Sequence, residues 1–302
     1  MIENTENTNE IKVNNENNKE INIAYLILVH RLPKQFKRLF KSIYNPNNYY
    51  LIHIDKKASK DLHKEVTNFI SDFENTFILE SESIVWWWYS MVNVELNGIK
   101  KLLNLWLNWD FFINLSGQDF PLKTQKEINN FLFQNKDNNY IKVSNQIVER
   151  PDTMNRIQNY FIDNWNYVYE VSNEKRDFLK DTIPYIWWQW MILNRNCCEF
   201  ICNSLETKKF TDYYINTLIP DESFFQTLLM NTSFDWNIIN DDKRAIIWVN
   251  DGDIKLRPKT FKKEDINFLS LKNNLFARKF DDNEDSEIID FIKQNFNKKV
   301  IA

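Results

Sequence analysis

From Ile21 onward, apolar and polar residues come in short blocks whose spacing changes regularly between two periods. Ile23–Val29 is an unbroken apolar run, short enough and rich enough in branched residues to predict a strand buried on both faces. Lys34–Ile43 has the spacing of an amphipathic helix, Tyr49–Ile54 reads as a second strand, and Ser59–Ile70 as a second helix. The same reading gives a short strand at Thr76–Leu79, a helix over Met91–Leu105, a strand at Phe111–Leu115 and a helix over Lys126–Phe133. Strands alternating with helices at this spacing predict an α/β fold with a mainly parallel sheet and right-handed crossovers. The second half reads as richer in helix, over Asn196–Asn203, Thr207–Thr217, Glu222–Met230 and Glu284–Phe296, with strands near Tyr140–Val143 and Ala245–Trp248. Neither an internal repeat nor a linker interrupts residues 21–302, which predicts one domain. Residues 1–20, rich in Asn and Glu and nearly without apolar side chains, predict a disordered tail.

Composition narrows the function classes. A hydrophobic content of 43% over 302 residues can fill a large core. Lys and Arg number 38 against 42 Asp and Glu, and this balance argues against a general nucleic-acid binder. Most of the eleven Trp are expected in the core, with a minority free to stack on sugar or base faces. Cys197, Cys198 and Cys202 cannot pair evenly, so no disulfide framework is expected, and they fit a helix face in a reducing compartment better than a metal site. The three histidines, His30, His53 and His63, form no HExxH pattern. No apolar run is long enough to span a bilayer and no signal-peptide architecture is seen, so a cytoplasmic protein, or one peripheral to a membrane, is expected. The only glycines are Gly98, Gly117 and Gly252, from which neither a Walker loop nor a GxGxxG turn can be built. Any phosphate must therefore be held by side chains.

Four segments carry chemistry. The strand Phe111–Leu115 runs into Ser116-Gly117-Gln118-Asp119, and ligands of open α/β sheets bind outside the carboxyl ends of strands. The segment reads either as the floor of a site or as a tight turn. Asp55, closing Ile52-His53-Ile54-Asp55, can hydrogen-bond a ribose or base, or serve as a turn aspartate. Pro220-Asp221-Glu222-Ser223 suits a helical first turn through the φ of Pro and the helix dipole; functionally, Glu222 so placed is an ionised carboxylate able to take a proton from a hydroxyl. Lys255, Arg257, Lys259, Arg278 and Lys279 lie among apolar and aromatic residues, where cations need partners; a diphosphate is one, solvent the other. Asp251-Gly252-Asp253 reads as a turn or as a DxD metal ligand.

These motifs, in this order, resemble the core-2/I-branching β-1,6-N-acetylglucosaminyltransferases and peptide O-xylosyltransferases, glycosyltransferase family fourteen. The resemblance rests on Ala24–His30, Ile52–Asp55, Ile113–Leu122, Pro220–Phe225 and Phe276–Phe280, and covers about Ile21 to Phe296. It implies a GT-A-type fold, a Rossmann-like donor-binding sheet over about 21–145 joined to an acceptor- and diphosphate-binding part over about 146–302. It also implies inverting transfer from a UDP-sugar to a glycan or glycoconjugate hydroxyl, forming a β-linkage, with no metal or other cofactor. Carried over, Glu222 is the catalytic base; Leu28, Asp55, Trp86, Gln189, Trp190, Arg257, Arg278 and Lys279 bind the donor; Arg156 and Trp248 lie on the acceptor side. UDP-GlcNAc and UDP-xylose are the favoured donors, with UDP-glucose a further candidate. The chain departs from the family at Trp86-Trp87-Trp88, where many members carry Trp-Gly-Gly, and in lacking the disulfides and anchor of secretory animal members; this fits a microbial or viral type. Two alternatives stay open: a catalytically silent glycan- or nucleotide-binding protein, and a metal-dependent transferase using Asp251 and Asp253. A glycoside hydrolase, which needs two carboxylates across the scissile bond, has only Glu222 in a suitable setting.

Overall fold

The computed structural model describes residues 21–85, 87–163, 167–252, 255–271 and 273–300. The expected tail over 1–20 lies outside them. Strand β1 (Ile23–Val29) is buried along its whole length in the interior of the seven-stranded main sheet. It is flanked by β2 (Tyr49–Ile54) and β4 (Phe111–Ser116), both parallel to it, and β3 (Thr76–Leu79) extends the parallel run beyond β2. Beyond β4 come the strand Met191–Asn194, antiparallel to it, then β6 (Asn139–Ile141) and Ile238–Ile239, which return to the first direction. The expected mainly parallel α/β architecture is what the chain adopts.

Alternate residues of β1 enter two different cores. Ile23, Tyr25, Ile27 and Val29 pack with Phe36, Leu39 and Phe40 of α1 (Pro33–Ile43) and with Leu62 and Val66 of α2 (Lys60–Ile70). Ala24, Leu26 and Leu28 pack on the opposite face with Val92, Ile99 and Leu102 of α3 (Ser90–Asn104), and with Cys197 and Cys198 on the helix Arg195–Asn203. Gly98 lets α3 approach this face closely: a Cβ there would lie 2.8 Å from Leu26 Cδ2. Helix starts are encoded locally. Ser59 caps α2 by accepting from Leu62 N, and Thr124 with Glu127 forms a capping box at α4 (Gln125–Gln134).

The connections through α1 and α2 lie on one face, while α3 lies on the other. The winding therefore reverses between β1 and β4, and a crevice opens at their carboxyl ends. A second, three-stranded sheet closes one side of it. In that sheet Phe276–Arg278 pairs antiparallel with β5 (Asp119–Pro121) and parallel with Arg244–Ile246. Gln35, fully buried on α1, fastens the two together: its Nε2 donates to the carbonyls of Gly117 and Phe280, and its Oε1 accepts from Asp282 N. Gln35→Leu is expected to lower stability by about 2 kcal/mol through the backbone groups left unpaired, read as a lower urea midpoint at unchanged m.

The second half holds its expected helices, shifted at the ends to Arg195–Asn203, Leu205–Tyr214 and Glu287–Val300. Strands that the pattern did not mark lie among them. Met191–Asn194 sits in a uniformly apolar stretch, where neither period stands out. The run expected as one strand over Ala245–Trp248 divides: Arg244–Ile246 joins the second sheet, and Trp248–Asp251 forms a hairpin with Lys255–Pro258. No helix among the described residues is long and apolar enough to cross a membrane.

Candidate active site

At the crevice, a small cavity, open at its mouth, is bounded by the ends of three parallel strands. Leu28 and Val29 end β1 and His30 follows it, Asp55 follows β2, and Ser116 ends β4; Gln189, Trp190 and Arg278 complete the lining. Five residues expected at the donor, Leu28, Asp55, Gln189, Trp190 and Arg278, thus line one space despite their distance in sequence. Asp55 is buried and accepts from Lys57 N at 2.9 Å, so it makes the expected aspartate turn while bordering the cavity. Gln189 Oε1 is buried with no hydrogen-bond partner among the described residues, an acceptor that a ligand donor can complete.

Of the cations expected at the diphosphate, Arg278 lines the cavity, while Lys279 and Arg257 do not. In the antiparallel register Arg278 stands opposite Asp119, and its Nη1 donates to Asp119 Oδ1 at 2.9 Å, while Asp119 Oδ2 accepts from Ser116 N at 3.0 Å. The Ser116–Asp119 turn therefore aims a guanidinium into the cavity. Asp119 is fully buried and Arg278 is 9% exposed, so the pair is held in a low-dielectric setting. The Arg278 guanidinium carbon lies 4.8 Å from the Trp190 ring centroid, within cation–π range. Burial lowers the Lys279 pKa, helped by the fields of Arg278, Arg31 and Arg257, which records four positive groups close together. His30 is pushed down to about 4 by burial and then by Arg31 and Arg278, so near neutral pH its imidazole is uncharged. A cation not foreseen from the sequence is Arg244. It is buried, donates to the carbonyls of Asp242 and Asn114, and its guanidinium carbon lies 4.5 Å from the Phe276 ring centroid. A charge at the head of the apolar run Ala245–Trp248 is the signal that marks it in the sequence.

Glu222 and Asp221 are not among the residues that line the cavity. Glu222 accepts from Arg156 Nη1 at 2.8 Å, with about 20% of its side-chain surface open to solvent. The expected helix start is displaced: Pro220–Glu222 forms a 3₁₀ turn, and the α-helix runs only over Phe224–Met230. The environment that acts on Glu222 is consequently burial, which raises its pKa, opposed by Arg156. The expectation that a helix dipole keeps it ionised gives way to this balance. Its neighbour Asp221 is pushed up to about 7 by burial and by Glu222. The Glu222 carbonyl accepts from Trp187 N at 2.7 Å, which ties Glu222 to the segment bearing Gln189 and Trp190. Trp248 stacks on Trp188 of that segment at 3.9 Å between ring centroids.

Trp86 and Asp253 lie outside the described residues. Asp251 ends the strand Trp248–Asp251 beside Gly252, whose φ of +72° suits a hairpin turn, and its carboxylate lies 3.5 Å from Arg257 Nε on the exposed ribbon. Among the described residues, no group of three or more His, Cys, Asp or Glu side chains is arranged to hold a metal ion.

Residues 23–273 match the family model described as Branch: Core-2/I-Branching enzyme. The chain is 28% identical over 293 residues to xylosyltransferase 2 of Mus musculus, covering 90% of this chain and 33% of that protein. It is likewise 28% identical over 289 residues to xylosyltransferase 1 of Rattus norvegicus, covering 89% and 35%. The chain thus spans about a third of the length of these curated relatives. Among solved structures it is similar to the mannosyltransferase Ktr4p from S. cerevisiae, with a TM-score of 0.32 and 11% identity over 73% of this chain and 66% of that one.

Proposed function

The chain belongs to the Core-2/I-branching enzyme family, and from that membership together with the geometry of the crevice we propose that it is a metal-independent, inverting UDP-sugar glycosyltransferase. The observation that carries the reading is the arrangement of the site. A buried guanidinium, that of Arg278, lines the cavity together with Gln189 and Trp190. The segment bearing those two residues is tied through Trp187 N to the backbone of Glu222, a partly solvent-accessible glutamate paired with Arg156. Residues 21–302 act as a single catalytic unit in this reading. Leu28 and Asp55 hold the uridine, with Trp86 beside the donor, and Gln189 and Trp190 face the transferred sugar. Arg278 and Lys279, joined by Arg257, hold the diphosphate. Arg156 and Trp248 contact the acceptor.

The reaction follows from this arrangement. Glu222 takes the proton of an acceptor hydroxyl as its oxygen attacks the anomeric carbon. The bond from that carbon to the diphosphate oxygen breaks on the opposite face, so the configuration inverts. UDP leaves with the bonding electrons, and fixed cations take up the developing charge without reorganising. Because its similar relatives are named xylosyltransferases, UDP-xylose is the first donor to test here, followed by UDP-GlcNAc and UDP-glucose; the acceptor is a glycan or glycoconjugate hydroxyl.

Thermal shift and donor hydrolysis across these three nucleotides, with and without EDTA, test the proposal. One UDP-sugar is expected to stabilise the fold, by about 2.7 kcal/mol at a hundredfold excess over Kd, with EDTA making no difference. Activity lost in EDTA and restored by Mn²⁺ would move the reading to Asp251 and Asp253. Binding of none of the three would overturn the donor assignment.

A further inference from the structure

Between Ile186 and Met191 the chain belongs to no helix or strand, yet it carries the Gln189 and Trp190 side chains into the cavity. An irregular segment holds its shape through hydrogen bonds from outside it. Here Trp187 N donates to Glu222 O at 2.7 Å, and Gln226 Nε2 donates to Trp188 O at 2.9 Å. The next two bonds come from one side chain. Asn114 Nδ2 donates to Gln189 O at 2.9 Å, and Asn114 Oδ1 accepts from Met191 N at 2.9 Å. The Asn114 amide thereby brackets the Gln189-Trp190 dipeptide from both sides, as a neighbouring strand would.

Asn114 is itself held. It lies fully buried in β4, its backbone carbonyl accepts from Arg244 Nη2 at 2.9 Å, and Nδ2 also donates to Glu95 Oε1 at 2.7 Å. Glu95, on α3, is fully buried too, and its Oε2 has no hydrogen-bond partner among the described residues. No cation faces it. Burial pushes its pKa well above the usual carboxylate range, and Asp221 adds to this. Glu95 Oε1 accepts one Asn114 N–H, the Gln189 carbonyl accepts the other and Met191 N donates to Oδ1, and together these partners fix which way the Asn114 amide points. A reversed amide would put its oxygen against the Gln189 carbonyl and its nitrogen against the Met191 N–H, breaking both bonds.

We infer that Glu95 and Asn114 are positioning residues that set the orientation of Gln189 and Trp190 toward the transferred sugar. This rests on the donor reading above, but its structural half can be measured without any donor. In protein labelled with 5-fluorotryptophan, the Trp190 resonance, assigned by Trp190→Phe, reports the segment directly. Asn114→Ala is expected to shift or broaden it and to raise the donor KM about tenfold, with a smaller change in kcat. Glu95→Leu, which keeps the core filled, is expected to act in the same direction and stands in for Asn114→Ala if that variant does not fold. Glu95→Gln retains a neutral acceptor for Asn114 and is expected to rescue both readouts. The inference is overturned if the Trp190 resonance is unmoved in Asn114→Ala and Glu95→Leu, or if Glu95→Gln is as damaging as Glu95→Leu. A moved resonance in a protein that binds no UDP-sugar keeps the structural clamp and removes the donor reading.

Discussion

Arg278→Ala is expected to lower kcat by about 10²–10³-fold, the loss of about 2.7–4 kcal/mol that follows removal of one fixed donor at a developing negative charge. Under the proposed metal-independent reading the leaving UDP has only side chains to neutralise it, and Arg278 is a buried cation that lines the cavity. The variant also strands Asp119 without its 2.9 Å partner in a fully buried position. Breaking such a pair from one side costs about 3–5 kcal/mol of stability, so activity and folding fall together and must be separated. Asp119→Asn combined with Arg278→Met removes both charges and is expected to recover most of the stability while the rate stays low. Rates in steady-state transfer and midpoints in urea unfolding give the two readings. A double variant that regained transfer with stability would make Arg278 a structural cation only.

That pair also shows how far a linear sequence speaks. Asp119 and Arg278 are 159 residues apart, and each was visible alone: one as an acid after a strand end, the other as a cation in an apolar run. Their meeting depends on the antiparallel register of β5 with Phe276–Arg278, which no local pattern encodes. The central strands were legible because β1, β2 and β4 are apolar runs bounded by polar residues, and α2 and α4 because Ser59 and Thr124 mark their starts. Position at a strand's carboxyl end was enough to mark Asp55 and the Ser116–Asp119 turn as site borders. Glu222 was legible as a candidate and not as an environment. Pro220-Asp221-Glu222 has the composition of a helical first turn, yet Ile219 at φ +51° and Ser223 at φ −140° close it into a separate 3₁₀ turn. Its ion pair with Arg156, 66 residues away, replaces the dipole as the local field. Asn114 and Glu95 were not legible at all, since a buried amide and a buried acid look like ordinary polar residues until their partners are known.

Glu222→Gln is expected to reduce transfer by about 10²–10⁴-fold, the usual range for loss of a positioned proton acceptor, while UDP binding is retained because the cations are untouched. The pH dependence sharpens the test. Glu222 acts as a base only when deprotonated, so the rate rises as pH passes upward through its pKa. Burial places that acid limb above the usual glutamate value of about 4.3, and Arg156 pulls it back down. Arg156→Gln is therefore expected to move the limb to higher pH, and Glu222→Gln to abolish it. Asp221 is pushed up to about 7 by burial and by the Glu222 charge, so its own titration depends on that of Glu222. A full pH–rate profile of kcat/KM for these variants, with UDP affinity measured alongside, decides the assignment. If Glu222→Gln kept both the rate and the acid limb, the proton would be leaving by another group, and Asp221 would be the next to test.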